Sequence, residues 1–310
     1  GRKPKREAEA RTKQILEQFY QKTQGEITRS FLSRMITRLE SEQSVKEYLD
    51  IMDHRKTEQL IDTLDKVEQN RKECYIREFS IEHFHDSKVF ETLIPKICKI
   101  FREENEELTG FENEEILAEY QIYKTPGYVY MKGNVQIYSA GKQAADISAF
   151  PEGIAVAVGS EEDTPDICVD QTIDKVFTIE NLTSFYRFKQ EHSLVIYLGG
   201  YHNHSRRNLL MQIYQKLPDA QYYHFGDLDA GGFYILEHLK RKTGIPFQMF
   251  QMDIETLKKY EDYAKPLTEN DKKRLMQLEK MELPDEERKL ITYMLQKGIK
   301  LEQECISESQ

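Results

Sequence analysis

The stretch that most constrains the fold of this chain is residues 221–236, QYYHFGDLDAGGFYIL. An aromatic run ends in the sequence GDLD at 226–229, two glycines follow, and apolar residues then recur at helical spacing at Phe233, Leu236 and Leu239. This pattern predicts a strand, a tight turn and a helix. Two carboxylates two residues apart at a strand end project to the same side, where both can reach one divalent cation. We therefore expect the chemistry of the chain at this turn.

The turn belongs to a regular alternation of predicted strands and helices. The strands are predicted at 175–179, 194–198, 222–225 and 246–252, and the helices between them at 182–188, 206–217 and 233–242. Apolar strands that alternate with helices indicate an α/β fold with a parallel sheet covered on both faces. Functional groups gather at the carboxyl ends of such strands. Glu180, Asp227 and Asp229 all follow directly after predicted strands.

The first half of the chain has a different texture. Helical periodicity over residues 8–73 suits either a helical bundle or a winged-helix or helix-turn-helix DNA reader. A strand is then predicted at 74–79, a helix at about 93–101, and a hairpin of residues 128–131 and 135–138 joined by Gly133-Asn134. Further β-like runs follow at 146–150 and 154–158. The predicted division is an N-terminal helical region (1–73), an α+β domain (74–170, ending near a charged loop at 161–165), a catalytic α/β domain (171–253) and a helical extension of it (254–310).

The composition of the chain bears on three functions: nucleic-acid binding, zinc binding and membrane insertion. The formal net charge of −10 gives no overall sign of nucleic-acid binding, so such a role needs local basic patches or a metal-neutralised acidic site. The four cysteines form no CxxC pair, which argues against zinc and for a reducing cytoplasm. The longest apolar run, 154–158, is far too short to span a membrane. The candidate DNA contacts are Arg206, Arg207, Lys240 and Arg241, although basic residues also occur on solvated surfaces and in the last turn of a helix.

Three carboxylates at one sheet edge repel one another unless a cation is bound. Mg²⁺ uses few protein ligands and keeps waters and phosphate oxygens, so it suits Glu180, Asp227 and Asp229 facing a polyanion. Gly231 and Gly232 would let a phosphate backbone approach the turn closely. The structural alternative is that Asp229 and Glu180 only cap helices and that Asp227 is a solvated loop residue.

The order of these motifs resembles a known domain family. Glu180 after the first strand and Asp227-x-Asp229-x-x-Gly232 after the third are similar to the Toprim domain of topoisomerases, primases and related nucleases. From about residue 176 to the C-terminus, the chain resembles more closely the JetD family of nuclease subunits from bacterial Wadjet anti-plasmid systems. The segments that carry this resemblance are IENLTSF at 179–185, LGGY at 198–201, GDLD at 226–229, MDIETL at 252–257 and LEQE at 301–304.

The resemblance implies a metal-dependent DNA endonuclease whose fold is related to the A subunit of topoisomerase VI. It implies that 171–253 is a Toprim domain, that 74–170 is winged-helix-like, and that Glu180, Asp227 and Asp229 hold Mg²⁺ or Mn²⁺. Asp253 and Glu304 match further family positions and are expected either near the metal or as a helix cap and a surface salt bridge. The implied partners are double-stranded plasmid DNA, an SMC-like ATPase, a kleisin, accessory subunits and a second copy of the chain, in a bacterial cytoplasm.

Two other functions are compatible with the sequence. Topoisomerase VI and its meiotic relatives use a nucleophilic tyrosine, which would make the chain a DNA transesterase. The chain has 18 tyrosines, but none, Tyr75 and Tyr120 included, has the sequence context of that motif, so hydrolysis is favoured. The second alternative is a non-catalytic DNA-binding subunit whose acidic cluster is structural.

Overall fold

The computed structural model describes residues 2–109, 111–124, 127–139, 141–158, 166–199 and 204–307. These residues divide between two compact units, 1–125 and 126–310. The division falls inside the predicted 74–170 domain, and the four-part division of the chain stays a prediction. The predicted boundary loop at 161–165 and residues 200 and 201 of the LGGY segment lie outside the described residues. Within the described ranges, no helix is both long and apolar enough to cross a membrane.

The first unit is mainly helical, as the periodicity predicts. Leu32 and Phe31 of its second helix and Ile61 and Leu64 of its third are fully buried, so the apolar stripes of the helices form its core. Its elements are α1 (Arg2–Lys22), α2 (Glu26–Glu40), α3 (His54–Gln69), β1 (Cys74–Tyr75), α4 (Ile76–Phe84), α5 (Val89–Glu104), a short 3₁₀ helix (Glu106–Leu108), α6 (Asn113–Glu119) and β2 (Ile122–Tyr123).

The predicted strand at 74–79 is wrong beyond its first two residues. Only β1 is extended, where it pairs in parallel with β2, and α4 begins at Ile76. The backbone N–H of Tyr75 donates to the Glu78 carboxylate at 2.8 Å, which is a helix-start contact. Ile76 and Phe79 are both buried and stand three residues apart, so they lie on one helical face.

The second unit is a mixed α/β structure built on a six-stranded sheet. The order of its strands is β11-β10-β8-β9-β3-β6, with β11, β10, β8 and β9 parallel and with β3 and β6 antiparallel to their neighbours. The strands of the unit are β3 (Gly127–Lys132), β4 (Val135–Ser139), β5 (Lys142–Asp146), β6 (Ile154–Val158), β7 (Asp166–Val169), β8 (Lys175–Ile179), β9 (Ser193–Tyr197), β10 (Gln221–Phe225), β11 (Gln248–Met249), β12 (Lys265–Pro266) and β13 (Ile299–Lys300). Its helices are α7 (Leu182–Arg187), α8 (His204–Lys216), α9 (Ala230–Thr243), α10 (Ile254–Lys259), α11 (Glu269–Leu278), α12 (Asp285–Lys297) and α13 (Gln303–Ser307), with short 3₁₀ helices at Ile147–Ala149 and Glu261–Tyr263.

Three of the four predicted parallel strands match β8, β9 and β10 to within one residue. The fourth is confined to β11, which is two residues long. Strands β3 and β6 come from the region predicted as a separate α+β domain, yet they extend the same sheet. The assignment of these elements to the Toprim and winged-helix classes stays a prediction.

The predicted hairpin at Gly133-Asn134 is wrong. Strand β3 pairs with β6 and β9, whereas β4 pairs with β5 and β7 in a separate three-stranded sheet. Gly133 has a φ of 138°, and a Cβ there would stand 2.6 Å from the carbonyl oxygen of Ser193. The side chain of Asn134 donates to Asp170 at 2.8 Å. The two residues therefore pass the chain from one sheet to another.

The predicted β-like run at 146–150 is also corrected. Only Asp146, the last residue of β5, is in a strand, and residues 147–149 form a 3₁₀ turn. The Asp146 carboxylate accepts a hydrogen bond from the backbone N–H of Ser148 at 3.0 Å, which caps this turn.

Candidate functional site

Glu180 and Asp227 meet at the carboxyl edge of the parallel strands. Strands β8 and β10 are neighbours, with Ile179 paired to Phe225, so both strands end at the same point of the sheet edge. The backbone N–H of Glu180 donates to the carbonyl of Phe225 at 3.1 Å. Glu180 Oε2 in turn accepts a hydrogen bond from the backbone N–H of Asp227 at 3.4 Å. Two of the three predicted site residues are thus joined by a hydrogen bond from the backbone of one to the side chain of the other.

The electrostatics of this pair are unusual for carboxylates. Burial, followed by the negative charges of Asp227 and Asp229, raises the pKa of Glu180 to about 8. Burial also raises the pKa of Asp227 to about 6, although a hydrogen bond from the backbone of Gln303 acts in the opposite direction. Among the described residues, no lysine or arginine forms an ion pair with Glu180, Asp227 or Asp229. Within the described ranges, Glu180 and Asp227 therefore have no ion pair that would lower their pKa values.

Asp229 has the structural role of a helix cap. Its Oδ1 accepts a hydrogen bond from the backbone N–H of Gly232 at 2.9 Å, and α9 begins at the next residue, Ala230. The helix-cap alternative is therefore correct for one of its oxygens. Its charge still contributes to the raised pKa values of Glu180 and Asp227.

The glycines of the turn leave room for neighbouring atoms of the site. A Cβ on Gly226 would stand 2.7 Å from Glu180 Oε2 and 2.8 Å from His224 Nε2. A Cβ on Gly232 would stand 2.1 Å from the carbonyl oxygen of Asp227. Gly232 is therefore needed for the turn to close on itself. That Gly231 and Gly232 admit a DNA phosphate stays a prediction.

The C-terminal segment completes the site. Leu228 and Leu301 form an antiparallel bridge, with N–H···O distances of 2.9 Å and 3.1 Å in the two directions. This bridge brings Gln303 against the carboxylates, and its backbone N–H donates to Asp227 Oδ1 at 2.7 Å. The side chain of Gln303 is fully buried. Sequence reasoning included this residue in the LEQE segment but gave it no role.

Asp253 and Glu304 differ in their relation to the site. Asp253 is exposed and caps α10, because its carboxylate accepts from the backbone N–H of Thr256 at 2.7 Å. No contact recorded within the described ranges links it to Glu180 or Asp227. Glu304 accepts from the Asn181 side chain at 2.6 Å, and its charge contributes to the raised pKa of Glu180. Glu304 therefore lies beside the carboxylates, whereas Asp253 acts as a cap.

The predicted DNA contacts occupy varied environments. Arg206 donates to the carbonyl of Leu198, after the end of β9, at 2.6 Å. Arg207 is only 6% exposed, and its charge helps to lower the pKa of the buried His238. On α9, Lys240 forms ion pairs with Glu237 and Glu287 inside the unit. Arg241, the next residue of the same helix, is exposed. Contact of these residues with DNA stays a prediction.

His224 is a further buried group beside the site. Its side chain is fully buried in β10, and burial, reinforced by the charge of Lys240, lowers its pKa to about 3. Its Nδ1 lies 2.9 Å from the hydroxyl of Thr178, whereas its Nε2 has no hydrogen-bond partner among the residues that the structure describes. The imidazole is therefore neutral, with Nε2 on the side of Gly226.

The donor chemistry of the carboxylates fits a hard divalent cation. Carboxylate oxygens are the preferred protein ligands of Mg²⁺ and suit Mn²⁺, and a cation would compensate the charge that raises the pKa of Glu180. In the part of the chain that the structure describes, however, no three histidine, cysteine or carboxylate groups converge on one point. Glu180 and Asp227 are the two carboxyl groups that the structure links at this edge, and the charge of Asp229 contributes to the raised pKa of Glu180.

The part of the chain that carries these carboxylates is similar to known proteins. Residues 162–310 match the family model described as Wadjet protein JetD, C-terminal. The chain is 28% identical over 263 residues to the Wadjet protein JetD of Bacillus cereus (strain Q1), and the match covers 83% of this chain. It spans 63% of the length of that relative.

Proposed function

Because residues 162–310 match the family model of JetD C-terminal regions, we propose that the chain is the DNA endonuclease subunit of a Wadjet-type plasmid-defence system. The observation that carries the enzymatic part is the Glu180–Asp227 pair, two carboxyl groups with raised pKa values at the carboxyl edge of parallel strands, linked by the hydrogen bond from the backbone N–H of Asp227 to Glu180 Oε2. Perturbed carboxylates at such an edge are typical of functional sites.

The proposed main ligands of Mg²⁺ or Mn²⁺ are Glu180 and Asp227, and Asp229, which caps α9 through Oδ1, is proposed as the third carboxylate of the site. When bound there, the cation would supply charge stabilisation to a phosphodiester and lower the pKa of a water molecule. The chain's own residues prepare the site: Gln303 donates to Asp227 Oδ1, and Gly226 leaves space beside Glu180 Oε2. In the hydrolysis, a water oxygen forms a bond to phosphorus, the bond from phosphorus to the sugar oxygen breaks, and the water proton ends on the leaving group.

Glu180 is the residue most affected by cation binding. With a pKa of about 8, its carboxyl group carries a proton for much of the time at neutral pH in the absence of metal. Cation binding requires the ionised form, so Glu180 releases this proton as the metal binds. The affinity for metal is therefore expected to increase with pH.

The wider proposal concerns partners. We propose double-stranded plasmid DNA as the substrate, and an SMC-like ATPase, a kleisin and accessory subunits as partners. The net charge of −10 is compatible with this proposal, because affinity for DNA can come from partner subunits and from dimerisation. Two cuts on one duplex are most simply made by a symmetric dimer. A Toprim relationship of the parallel sheet and a winged-helix role for the preceding region remain part of this proposal.

A tyrosine nucleophile has less support. Burial raises the pKa of Tyr120 above its ordinary value, whereas a nucleophilic tyrosine needs the opposite shift. Tyr75 ends a two-residue strand, and its backbone N–H holds the start of α4. Hydrolysis therefore remains the proposed reaction.

The test is plasmid cleavage by the reconstituted system. Circular plasmid is incubated with the chain, its partner proteins, ATP and Mg²⁺ or Mn²⁺, and wild type is compared with Glu180→Ala and Asp227→Ala. We expect each substitution to lower the rate at least about 100-fold, while Glu286→Ala, at an exposed position on α12, keeps the wild-type rate. Cleavage that continues in Glu180→Ala would refute the metal-nuclease proposal, and a covalent 5′-phosphotyrosyl product would favour the transesterase instead.

A further inference from the structure

Strands β8 and β10 separate immediately after the last residue pair of their ladder. Ile179 is paired with Phe225, and the N–H of Glu180 still reaches the carbonyl of Phe225. One residue further on, the N–H of Asn181 has no partner on β10. The proposed metal ligands project from the point where the two strands diverge.

The carboxamide of Gln303 occupies this divergence. Its Oε1 accepts from the backbone N–H of Asn181 at 2.9 Å, and its Nε2 donates to the carbonyl of Phe225 at 3.0 Å. The orientation of the amide is set by its partners, because a backbone N–H can only donate and a carbonyl can only accept. A carboxamide has the same donor and acceptor as a peptide group, so it continues the hydrogen bonding of the sheet by one step.

We propose that Gln303 is a positioning residue of the metal site, whose side chain sets the separation between Glu180 and Asp227 by bridging the ends of their strands. This inference rests on the proposed function for the identity of the ligand, a divalent cation. One partner of the carboxamide immediately follows Glu180, and the other lies two residues before Asp227. The backbone N–H of Gln303 also holds Asp227 Oδ1, so this one residue contacts both sides of the site.

Other residues do not reproduce this pairing. Methionine has a similar length and volume but neither a donor nor an acceptor of comparable strength, so the N–H of Asn181 would lose its acceptor and the carbonyl of Phe225 would keep only the N–H of Glu180. Ionised glutamate keeps an acceptor for the N–H of Asn181, but it places a second oxygen, which has no proton to donate, against the carbonyl of Phe225. Both variants therefore disturb the spacing of the strand ends.

The segment has anchors that do not depend on the Gln303 side chain. Leu301 pairs with Leu228 through two backbone hydrogen bonds, and Glu304 accepts from the Asn181 side chain. Leu301 and Ile306 are also buried in the core of the unit. A substitution at Gln303 thus removes the bridge while the segment stays docked.

The test measures metal affinity and local hydrogen exchange in the full chain. Outer-shell partners of metal ligands typically contribute 10–100-fold to affinity, so we expect Gln303→Met to raise the Kd for Mn²⁺, measured by calorimetry, by about tenfold. In metal-free protein, exchange of the Asn181 amide should accelerate at least about tenfold, because its acceptor is gone. Ile213→Ala, a core variant in α8, should lower Tm without changing either quantity.

A second variant separates positioning from simple electrostatics. Gln303→Glu adds a negative charge beside the site, which by itself would tighten Mn²⁺ binding, whereas a positioning role predicts weaker binding. This variant also serves if Gln303→Met does not fold. Folded variants that keep the wild-type Kd and the wild-type Asn181 exchange would overturn the inference. If wild type and Glu180→Ala bind Mn²⁺ equally, the proposed metal site fails, and unchanged Asn181 exchange in Gln303→Met separately refutes the bridge.

Discussion

Glu180 Oε2 accepts a hydrogen bond from the backbone N–H of Asp227 at 3.4 Å, so the ends of two parallel strands are linked through one of the proposed ligands. The link joins residues 47 positions apart in the chain. It holds a carboxyl group with a raised pKa next to a second one, without a basic partner recorded for either among the described residues. The two carboxyl groups are thus held together by the fold of the chain itself.

The first prediction concerns pH and stability in metal-free protein. The folded state raises the pKa of Glu180 from its ordinary 4.5 to about 8, so this group favours folding most below pH 4.5, and that contribution is lost as the pH rises towards 8. Glutamine does not ionise, so Glu180→Gln does not lose stability as the pH rises. We expect it to increase the free energy of unfolding at pH 9 by about 2 kcal/mol relative to wild type, measured by urea denaturation with a chelator present.

The same experiment at pH 4 should show almost no difference between Glu180→Gln and wild type, because the glutamate is then protonated in the folded protein. Glu286→Gln on α12 provides the exposed control. A stability difference that does not vary with pH would contradict the raised pKa of Glu180.

The second prediction concerns Gly226. A methyl group there would stand 2.7 Å from Glu180 Oε2 and 2.8 Å from the buried His224 ring, so one of these side chains must move. We expect Gly226→Ala to destabilise the fold by about 1–3 kcal/mol and to weaken Mn²⁺ binding. Thermal unfolding with and without Mn²⁺ measures both effects, and a Mn²⁺-induced rise in Tm equal to that of wild type would show that Glu180 is undisturbed.

The third prediction compares the two adjacent glycines of α9. In Gly232→Ala the new carbon meets the backbone oxygen of Asp227 at 2.1 Å, whereas in Gly231→Ala it meets the end of the Asp229 side chain at 3.1 Å. Backbone cannot yield as a side chain does, so Gly232→Ala should cost more than about 3 kcal/mol of stability. Gly231→Ala should be close to neutral, because alanine favours the helix by up to about 1 kcal/mol. Equal effects in denaturant unfolding would contradict this account of the turn.

The fourth prediction concerns the first unit. The carboxylate of Glu68 accepts hydrogen bonds from the backbone N–H groups of Ile27 and Thr28, at 2.7 Å and 2.8 Å, at the start of α2. Removing it leaves these buried donors unpaired, so we expect Glu68→Ala to lower the free energy of unfolding by about 2–4 kcal/mol. Glu58→Ala, at an exposed position on the same helix as Glu68, should change it by less than about 0.5 kcal/mol. Similar Tm values for the two variants would argue against the capping role.

Local patterns were reliable where the physical cause is itself local. The period of apolar residues predicted the helices of the first unit and the strands β8, β9 and β10, because burial of one face follows directly from residue spacing. The sequence also predicted that Glu180 and Asp227 lie at the carboxyl edge of the sheet, because each follows a predicted strand and neighbouring parallel strands end at the same edge. The GDLD-x-GG pattern likewise predicted the turn before α9.

The failures arose where local signals competed with distant partners. Gly133-Asn134 has the composition of a hairpin turn, but a hairpin forms only if its two strands gain more from each other than from other neighbours. Here β3 joins the large sheet and β4 the small one. Residues 74–79 have strand-like composition, but the contact of Tyr75 with Glu78 begins a helix.

The sequence alone determined the α/β pattern, the acidic turn and the strand end that carries Glu180, because each depends on residues close together in the chain. Only the tertiary structure showed that Asp229 caps α9, that Arg207 is buried and that Gln303 bridges two strand ends. Gln303 lies more than 70 residues after Asp227, and a buried amide has no periodic pattern to reveal it. Its role depends on the backbone N–H of Asn181, which β10 does not pair once β8 and β10 separate, and only the folded chain shows where that happens.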